Sequence, residues 1–474
     1  MPTYSTPGVY IEEISTLPAS VAAVETAIPG FIGYTAKAGD AGELSGVPTR
    51  ITSLLEFEEL FGSADEETLN IEVKDTRGDS EVLESREITV EIPTPSPYKL
   101  YYSMKMFFNN GGGPCFIVSV GDYSSGMVSA ADIKGGINDL KKADEPTLLV
   151  FPDAVNLAVD EYGGVVKHAL AHCSLLQDRF TIADVKGHDF SAFRSELGME
   201  DLKYGAAYYP DLATTQNFAF KTSVSVTHTN PPTTLTAGGE DPDLSNLASF
   251  TGLIDPPTLA DIRSQFPSVY RDILVKINKH YVTLPPSGAM AGIYARVDSD
   301  RGVWKAPANV SVNNVIGPTV KITNDIQNGL NVDPTSGKSI NAIRTFIGKG
   351  TLVWGARTLA GNDNEWRYVP VRRLFIFVEE SVKKATEFVV FEPNDATTWL
   401  RVKTMIENFL TTLWRDKALA GAAPSDAFFV KVGLGETMTA QDILEGRMNI
   451  EIGMAAVRPA EFIILKFSHK LQES

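Results

Sequence analysis

The sequence predicts an α/β and α+β multidomain protein. From residue 146 onward, unbroken apolar strands alternate with helices, which is typical of a largely parallel sheet covered on both faces. Beyond residue 366, a long amphipathic helix is followed by three strand-like runs. The chain has 474 residues and is 43% hydrophobic, which is ordinary for a globular protein of about two to four domains.

The first element is a short strand-like run, PGVYIEE, at residues 7–13. Val9, Tyr10 and Ile11 favour an extended backbone, and the flanking prolines limit its length. A lone strand leaves half of its backbone groups unpaired, so this one needs partners from a sheet in its own fold or on another chain. The first residues also lack a basic stretch followed by an apolar core, so we expect no secretion signal.

A folded body begins after this arm, with a buried strand at residues 27–36 and a helix at 52–62. An apolar helix at 98–110, a glycine turn and a hydrophobic strand then suggest strand-helix-strand packing, ahead of the alternation that starts at residue 146. Helical sequence resumes at 258–280, and residues 284–309 are predicted to be a loop region because Pro and Gly mark them.

Two insertions are predicted in this body, near residues 63–97 and 218–258. Residues 65–93 contain ten acidic and three basic residues, a net charge of −7, and end in an alternating strand pattern. We therefore expect an exposed β-rich hairpin or lobe there. Residues 222–258 shift to Thr, Pro, Asp and Gly without helical periodicity, so we expect a second exposed insertion.

The C-terminal part begins with a predicted strand and helix at residues 369–393. A longer helix at 397–421 carries one apolar stripe and should end at Gly421. The stripe consists of Trp399, Val402, Ile406, Phe409, Leu410 and Leu413. Three strand-like runs follow, at 427–433, 447–457 and 461–467.

The composition argues against several classes of protein. A formal charge of −17 disfavours a nucleic-acid surface, which needs clustered Lys and Arg. No window approaches about 18 consecutive apolar residues, so we expect no membrane insertion. Cys115 and Cys173 lie in apolar surroundings and are predicted to be buried thiols in a reducing compartment, which favours cytosolic synthesis.

Three aspartates are the main candidates for chemistry. Asp153, Asp184 and Asp211 each follow a predicted strand, where open α/β sheets place their ligands. They favour either a metal or phosphate site, as in a hydrolase, or the more common use of Asp as a cap of the next helix.

Two weaker motifs complete the search for chemistry. His168 and His172 lie one helical turn apart but lack a third zinc ligand, and VDPTSGKS at residues 332–339 lacks the first glycine of a phosphate-binding loop. No nucleophile elbow occurs. We therefore predict no catalytic, cofactor-binding or metal-binding residues and no enzymatic activity.

The long C-terminal helix also carries basic residues beside or opposite its apolar stripe: Arg401, Lys403, Arg415 and Lys417. They are typical of a solvated helix face. The alternative is a charged docking surface for an acid-rich partner.

Seven stretches, in order along the chain, resemble one known family. They read PGVYIEE, FFNNGGGPCFIVSV, LVWGARTL, WRYVPVRRL, VFEPNDATTWLRV, NFLTTLWRDKALAGA and DAFFVKVGLGETMTAQDILEGRMNIEIGMAAVRPAEFIILKF. The family is the contractile tail sheath proteins, which build the sheaths of contractile phage tails, R-type pyocins and extracellular contractile injection systems. The match reaches both ends of the chain, whereas the two insertions match nothing in the family.

The resemblance implies a linker arm at residues 1–25, a middle and outer domain at 26–365, and a conserved domain nearest the tube at 366–474. One middle domain is implied to be subtilisin-like in topology, here without a Ser-His-Asp arrangement. The resemblance further implies that both terminal strands complete sheets in neighbouring subunits. By position, these strands contain Val9, Tyr10, Ile11 and Glu12 at one end and Phe462, Ile463, Ile464 and Leu465 at the other.

The implied function is structural. Copies of the chain and of sheath paralogues are expected to stack as hexameric rings around an inner tube protein, to contact baseplate and terminator or cap proteins, and to contract without a cofactor. The basic helix residues are candidates for facing the tube. Assembly is expected in the bacterial cytoplasm, as part of a phage tail or a released tail-like particle. A paralogue specialised for the baseplate or cap stays open, as does the kind of particle.

Overall fold

The computed structural model describes residues 21–78, 82–185, 187, 189–230 and 256–464. The chain divides into two compact units. The N-terminal unit is Thr26–Arg372, and the C-terminal unit combines the described parts of Met1–Glu25 and Arg373–Ser474. Both units mix helices with sheets.

The helices are α1 Leu54–Phe61, α2 Leu100–Asn109, α3 Ala130–Asp139, α4 Val159–Leu176, α5 Phe190–Glu196, α6 Leu259–Gln265, α7 Pro267–Ile277, α8 Ser287–Arg301, α9 Asn324–Asn331, α10 Val369–Thr386, α11 Ala396–Arg415, α12 Pro424–Ala427 and α13 Ala440–Leu444. The strands are β1 Pro29–Gly33, β2 Thr49–Ile51, β3 Asn70–Arg77, β4 Leu83–Glu91, β5 Cys115–Ser119, β6 Leu148–Val150, β7 Phe180–Asp184, β8 Gly205–Tyr209, β9 Leu212–Asn217, β10 Val226–Thr229, β11 Tyr281–Leu284, β12 Val315–Pro318, β13 Ile340–Phe346, β14 Gly350–Val353, β15 Phe428–Lys431 and β16 Glu451–Met454.

An eight-stranded sheet forms the centre of the N-terminal unit, in the order β14-β13-β8-β7-β6-β1-β5-β2. The six inner strands are parallel, while β2 and β14 pair antiparallel at the two edges. Outside β14, Val310 and Val312 form backbone bonds to Val353 and Thr351, both of 3.0 Å. The predicted α/β middle with a largely parallel sheet is therefore confirmed.

Helix α8 corrects the loop predicted at residues 284–309. Gly288 and Gly292, which indicated a loop, lie inside this helix and face α2. A Cβ at Gly292 would overlap the carbonyl oxygen of Phe107, and a Cβ at Gly288 would lie 2.8 Å from that of Ser103. The glycines therefore permit close contact between two helices and do not break one.

The two predicted insertions form one lobe. β3 and β4 make an antiparallel hairpin, and β10 joins β3 in parallel. Helices α6 and α7 complete a separate apolar core with this sheet. The expected hairpin is confirmed, but the expectation that residues 222–258 are exposed is wrong for Val224 and Val226, because both are buried in that core. Residues 231–255 lie outside the described residues.

Glu67 connects three stretches of the chain at the base of this lobe, around residues 67, 96 and 219–221. Its amide donates to the carbonyl of Ala219 at 2.8 Å, and its own carbonyl accepts from the amide of Lys221 at 3.1 Å. Its carboxylate accepts from the amide of Ser96, at 3.0 Å for each oxygen. The residue is 3% exposed, and burial raises the pKa of its carboxyl group.

The C-terminal unit is built around α10 and α11. The strand predicted at the start of residues 369–393 is wrong, because this stretch begins with the 18-residue helix α10. Its buried residues Leu374, Phe377 and Val378 recur at helical spacing, which outweighs their preference for strands.

Helix α11 buries most of its predicted apolar stripe: Val402, Ile406, Phe409, Leu410 and Leu413. It ends at Arg415 and not at Gly421, because Lys417 already adopts a left-handed backbone with φ of 65°. β15 and β16 follow as an antiparallel pair. No helix in the described ranges is long and apolar enough to cross a bilayer.

Candidate subunit interface

Among the described residues, the sheet of the C-terminal unit has two strands, β15 and β16. Register runs from Phe428 opposite Met454 to Lys431 opposite Glu451. Past β16 the chain continues to pair, because the amide of Ala420 donates to the carbonyl of Ala455 at 2.7 Å. β15 has no second strand partner among the described residues. Two strands of four residues are marginal by themselves, so this sheet is suited to accept another strand.

A groove of about 420 Å³ lies beside β15. Its lining comes from α11, α12 and β15, namely Glu407, Thr411, Pro424, Ser425, Phe428, Phe429 and Val430. Phe429 is 44% exposed while its neighbour Val430 is buried, as expected for alternate faces of a strand. An extended segment in this groove could pair with the backbone of β15 and place alternate side chains against α11.

The described part of the C-terminal strand candidate is exposed. Phe462, Ile463 and Ile464 are 70%, 79% and 80% exposed and form neither helix nor strand. Three consecutive apolar side chains in water are costly unless another surface covers them. Leu465 and the N-terminal candidates Val9, Tyr10, Ile11 and Glu12 lie outside the described residues.

The four basic residues of the long helix do not form one patch. Arg401 and Arg415 are exposed and lie about 40° apart around α11, at opposite ends of the helix. Lys403 is half-buried and lies about 200° around the helix from Arg401. Lys417 is exposed just beyond the end of the helix. The guanidinium of Arg401 also lies 4.6 Å from the ring centre of Phe388.

Two of the three strand-end aspartates act as helix caps. Asp153 accepts from the amides of Lys99 and Leu100 at 2.5 and 2.9 Å, at the N-terminus of α2, and from that of Tyr34 at 2.8 Å. Asp184 accepts from the amide of Ser287 at 2.8 Å, at the N-terminus of α8.

The expectation that each aspartate caps the next helix is therefore wrong in detail, because tertiary packing brings more distant helices to these strand ends. Burial raises the pKa of Asp153 to about 6 and that of Asp184 to about 7. Asp211 precedes β9 and not a helix, and its carbonyl accepts from the amide of Thr319 at 2.9 Å. The three carboxylates thus do not combine into a hydrolytic site in the described residues.

The other two motifs are also structural. His168 bonds to Asn138 at 3.0 Å, whereas His172 lies 3.4 Å from the guanidinium of Arg179, so the two rings do not share a ligand. The ammonium of Lys338, in the phosphate-loop-like stretch, donates to the carbonyl of Arg194 at 2.6 Å. It therefore points into the protein and not toward a phosphate.

The sequence predicts which strands are donated, and this stays a prediction, but it does not predict the groove beside β15. The signal available was the strand-like run at residues 427–433, which the sequence predicts as a strand but does not assign as an acceptor. Its free edge depends on the number of strands in the sheet, which no local pattern reports.

Comparison with known proteins gives consistent matches. Residues 361–470 match the model of the phage tail sheath C-terminal domain family. The tail sheath protein of Vibrio phage KVP40 is 26% identical over 138 residues, which is 29% of this chain and 20% of that protein. The match thus spans about a fifth of the length of this curated relative.

Two solved structures match almost the whole chain. The helical sheath of the anti-feeding prophage (AFP) in its contracted state is 33% identical, with 99% of this chain and 100% of that chain covered and a TM-score of 0.64. A chain of the AFP baseplate, 6-fold symmetrised, is 34% identical, with the same coverage and a TM-score of 0.62.

Proposed function

The chain belongs to the contractile tail sheath protein family, and from that premise we propose that its copies form hexameric rings stacked around an inner tube. The stack contracts and drives the tube through a target envelope. The similarity to solved sheath assemblies directly supports association between copies of this chain. The number of copies in a ring, the tube and the stroke belong to the proposal.

One observation carries this proposal at the level of residues. A two-stranded sheet with a groove beside it occurs in the same unit as an exposed apolar segment, Phe462–Ile464. In a lattice of identical copies, the segment of one copy can fill the edge of the next. We assign the same role to the N-terminal strand containing Val9, Tyr10, Ile11 and Glu12, and include Leu465 in the C-terminal strand.

The N-terminal unit serves in this proposal as the outer body of the subunit, and we keep the domain boundaries 1–25, 26–365 and 366–474 as part of it. The six parallel strands of its central sheet support a subtilisin-like topology. A non-catalytic role is supported by Asp153 and Asp184, whose carboxylates are bound to backbone amides at the ends of two helices.

The energy of contraction comes, in this proposal, from contacts between subunits that differ between two packings of the lattice. The exchanged strands keep the subunits joined in both packings. No nucleotide is consumed. The exposed Arg401, Arg415 and Lys417 are proposed to dock onto the inner tube, with baseplate and terminator proteins at the two ends of the sheath. Lys403, a fourth candidate, lies on another side of α11 and is not part of this proposed surface. Assembly takes place in the bacterial cytoplasm.

A second candidate role is a ring specialised for the end of the sheath nearest the baseplate. The match to a chain of the AFP baseplate structure favours it. In that role the chain would form a single ring in each particle and would not occur along the whole sheath. Immunogold labelling would then mark one end of the particle, whereas the first role predicts labelling along the sheath.

Deletion of residues 1–16 tests the proposal. The truncated chain should remain a folded monomer but should form no long sheaths under the electron microscope. A matched control lacks only residues 2–6, retains Val9–Glu12 and should assemble. Sheaths of normal length from the chain lacking residues 1–16 would contradict the role of the N-terminal strand.

A further inference from the structure

The sheet of the lobe in the N-terminal unit has one buried face and one exposed face. The side chains of Ile71, Val73 and Val90 belong to the core that the sheet makes with helices α6 and α7. Since successive residues of a strand point to opposite faces, the alternate residues of β3 and β4 lie on the other face of the sheet. The charged residues there are exposed, and we name them the acidic face: Glu72, Lys74, Glu87 and Glu91.

The acidic face contains three glutamates and one lysine and carries a net charge of −2. A groove of about 680 Å³ lies on this face, and its only charged lining residues are Glu72 and Glu91. The carboxylate of Glu72 accepts from the hydroxyl of Thr229 at 2.7 Å, which holds the carboxylate on this face. The groove therefore presents two carboxylates among uncharged side chains.

Helix α7 carries the opposite charge on its exposed side. Arg271 and Val275 lie two residues before and after the buried Ile273, about 160° around the helix from it. The exposed charged residues of this stretch are here named the basic face: Arg271, Asp272, Lys276 and Lys279. Three bases and one acid give this face a net charge of +2.

Neither face is neutralised by ion pairs within its own copy. In the part of the chain that the structure describes, none of the charged side chains of the two faces forms an ion pair. Such charges attract opposite charge on a partner and repel like charge. Val275 is 57% exposed among the basic residues, so a partner on this face would also remove an apolar side chain from water.

The acidic and basic faces lie on opposite sides of the lobe, because the apolar core separates the outer face of the sheet from the outer side of α7. Two different but complementary surfaces on one chain make head-to-tail contacts, which continue from copy to copy in a ring or a helix. A contact between two identical faces would instead bring like charges together. A second copy of this chain therefore fits both faces.

We propose that the lobes of neighbouring copies contact one another head to tail, with the acidic face of one lobe on the basic face of the next. The inference rests on the proposed assembly of copies into a sheath. The exchanged strands already hold neighbouring copies close together, so a contact that is too small to be stable by itself still adds to the lattice.

The test reverses the charge of each face in the full chain. One double variant combines Glu72→Lys with Glu91→Lys, and the other combines Arg271→Glu with Lys279→Glu. A third variant carries all four changes and is the matched control, because it restores opposite charges on the two faces. The protein concentration above which sheaths form at low salt is measured for each chain by sedimentation.

We expect each double variant to require about fivefold more protein than the wild type before sheaths form, because like charges then face each other. The variant with all four changes should return to within about twofold of the wild type. Added salt should shrink these differences, since it screens exposed charges. Equal values for the wild type and both double variants would overturn the proposal, as would a variant with all four changes that assembles no better than the double variants.

A second measurement uses the wild type and so does not depend on the folding of a variant. Sheaths are assembled from equal amounts of isotope-labelled and unlabelled chains and treated with a carbodiimide, which joins carboxylates to lysine amines in direct contact. Links from Glu72 or Glu91 to Lys276 or Lys279 should include pairs of one labelled and one unlabelled chain. Links confined to single chains, or links from these glutamates only to another protein, would overturn the proposal.

Failure of the proposed function looks different from failure of this contact. If the chain is not a sheath subunit, the wild type forms no sheaths at any concentration. If only the contact between lobes is wrong, the wild type and both double variants form sheaths at the same concentration.

Discussion

At the scale of single residues, two buried aspartates hold the N-termini of α2 and α8. Each carboxylate accepts backbone amides, and burial favours its protonated form. Since the pKa of Asp184 is raised from 3.8 to about 7 in the folded protein, its contribution to stability is complete below pH 4 and is lost as the pH rises to 7.

Asp184→Asn should remove this pH dependence, because an amide oxygen can still accept from Ser287 but does not ionise. Relative to the wild type, the free energy of unfolding of the variant should rise between pH 4 and 7, by up to about 1.4 kcal/mol per pH unit. Urea unfolding at several pH values measures the difference. A constant difference over this range would contradict the assignment.

Gly292 has an equally local role, because α8 approaches α2 most closely there. In Gly292→Ala, the new methyl group would overlap the carbonyl oxygen of Phe107, so we expect a loss of about 1–3 kcal/mol in the free energy of unfolding. Gly329→Ala in α9 is the matched control, because a Cβ there meets open space. The control should gain about 0.5–1 kcal/mol, since alanine favours a helix. Similar melting temperatures for both variants would exclude the close packing described for α8.

At the scale of elements, the lobe depends on its base at Glu67. In Glu67→Ala, the amide of Ser96 loses its acceptor, and we expect a cost of about 1–3 kcal/mol. Hydrogen exchange should increase in β3 and β10, while the central sheet stays protected. The exposed neighbour Glu66 provides the control, and Glu66→Ala should exchange like the wild type. Uniform exchange across the whole protein would mean that the lobe has no separate stability.

Elements with a clean local pattern could be predicted, and elements that depend on their neighbours could not. The alternation after residue 146 predicts the parallel strands because buried strands need no polar face. By contrast, α8 was predicted as a loop because Gly288 and Gly292 are explained only by their contact with α2. The start of α10 is predicted as a strand because its aromatic and β-branched residues occur in both strands and helices. Only the length of the whole segment distinguishes the two.

At the scale of the whole molecule, the assembly places different demands on the two faces of α11. The apolar face is buried, while Arg401 and Arg415 are exposed near its two ends. These two residues lie about 21 Å apart along the axis and can reach one partner together. Lys403 lies on another side of the helix. Reversing its charge therefore tests whether the position of a basic residue matters for docking, and not only the total charge.

The double variant Arg401→Glu and Arg415→Glu should weaken binding to an isolated tube at low salt about fivefold or more, and the loss should shrink as salt is added. Lys403→Glu alone should bind nearly as the wild type does. Co-sedimentation of sheath with tube measures this. If the single variant weakens binding as much as the double variant, the exposed face of α11 is not the docking surface.

The candidate interface could be predicted only in part from the sequence. The residues proposed for donation, such as Phe462 and Ile463, form an apolar run, and such a run is visible in a sequence. The proposed acceptor is the edge of β15 for which the described residues supply no second strand, and such an edge depends on how many strands the sheet contains.

The closed edges of the large central sheet have a consequence for synthesis at high concentration. One edge strand, β2, has three residues, and the other, β14, is covered by the chain at Val310–Val312. Where many newly made copies lie close together, open edges of a large sheet can pair with one another and start fibrous aggregates. The central sheet therefore offers little edge for pairing between copies, whereas the small sheet of β15 and β16 keeps an edge that the described residues leave open. We therefore expect subunits that accumulate before assembly to avoid pairing through their central sheets.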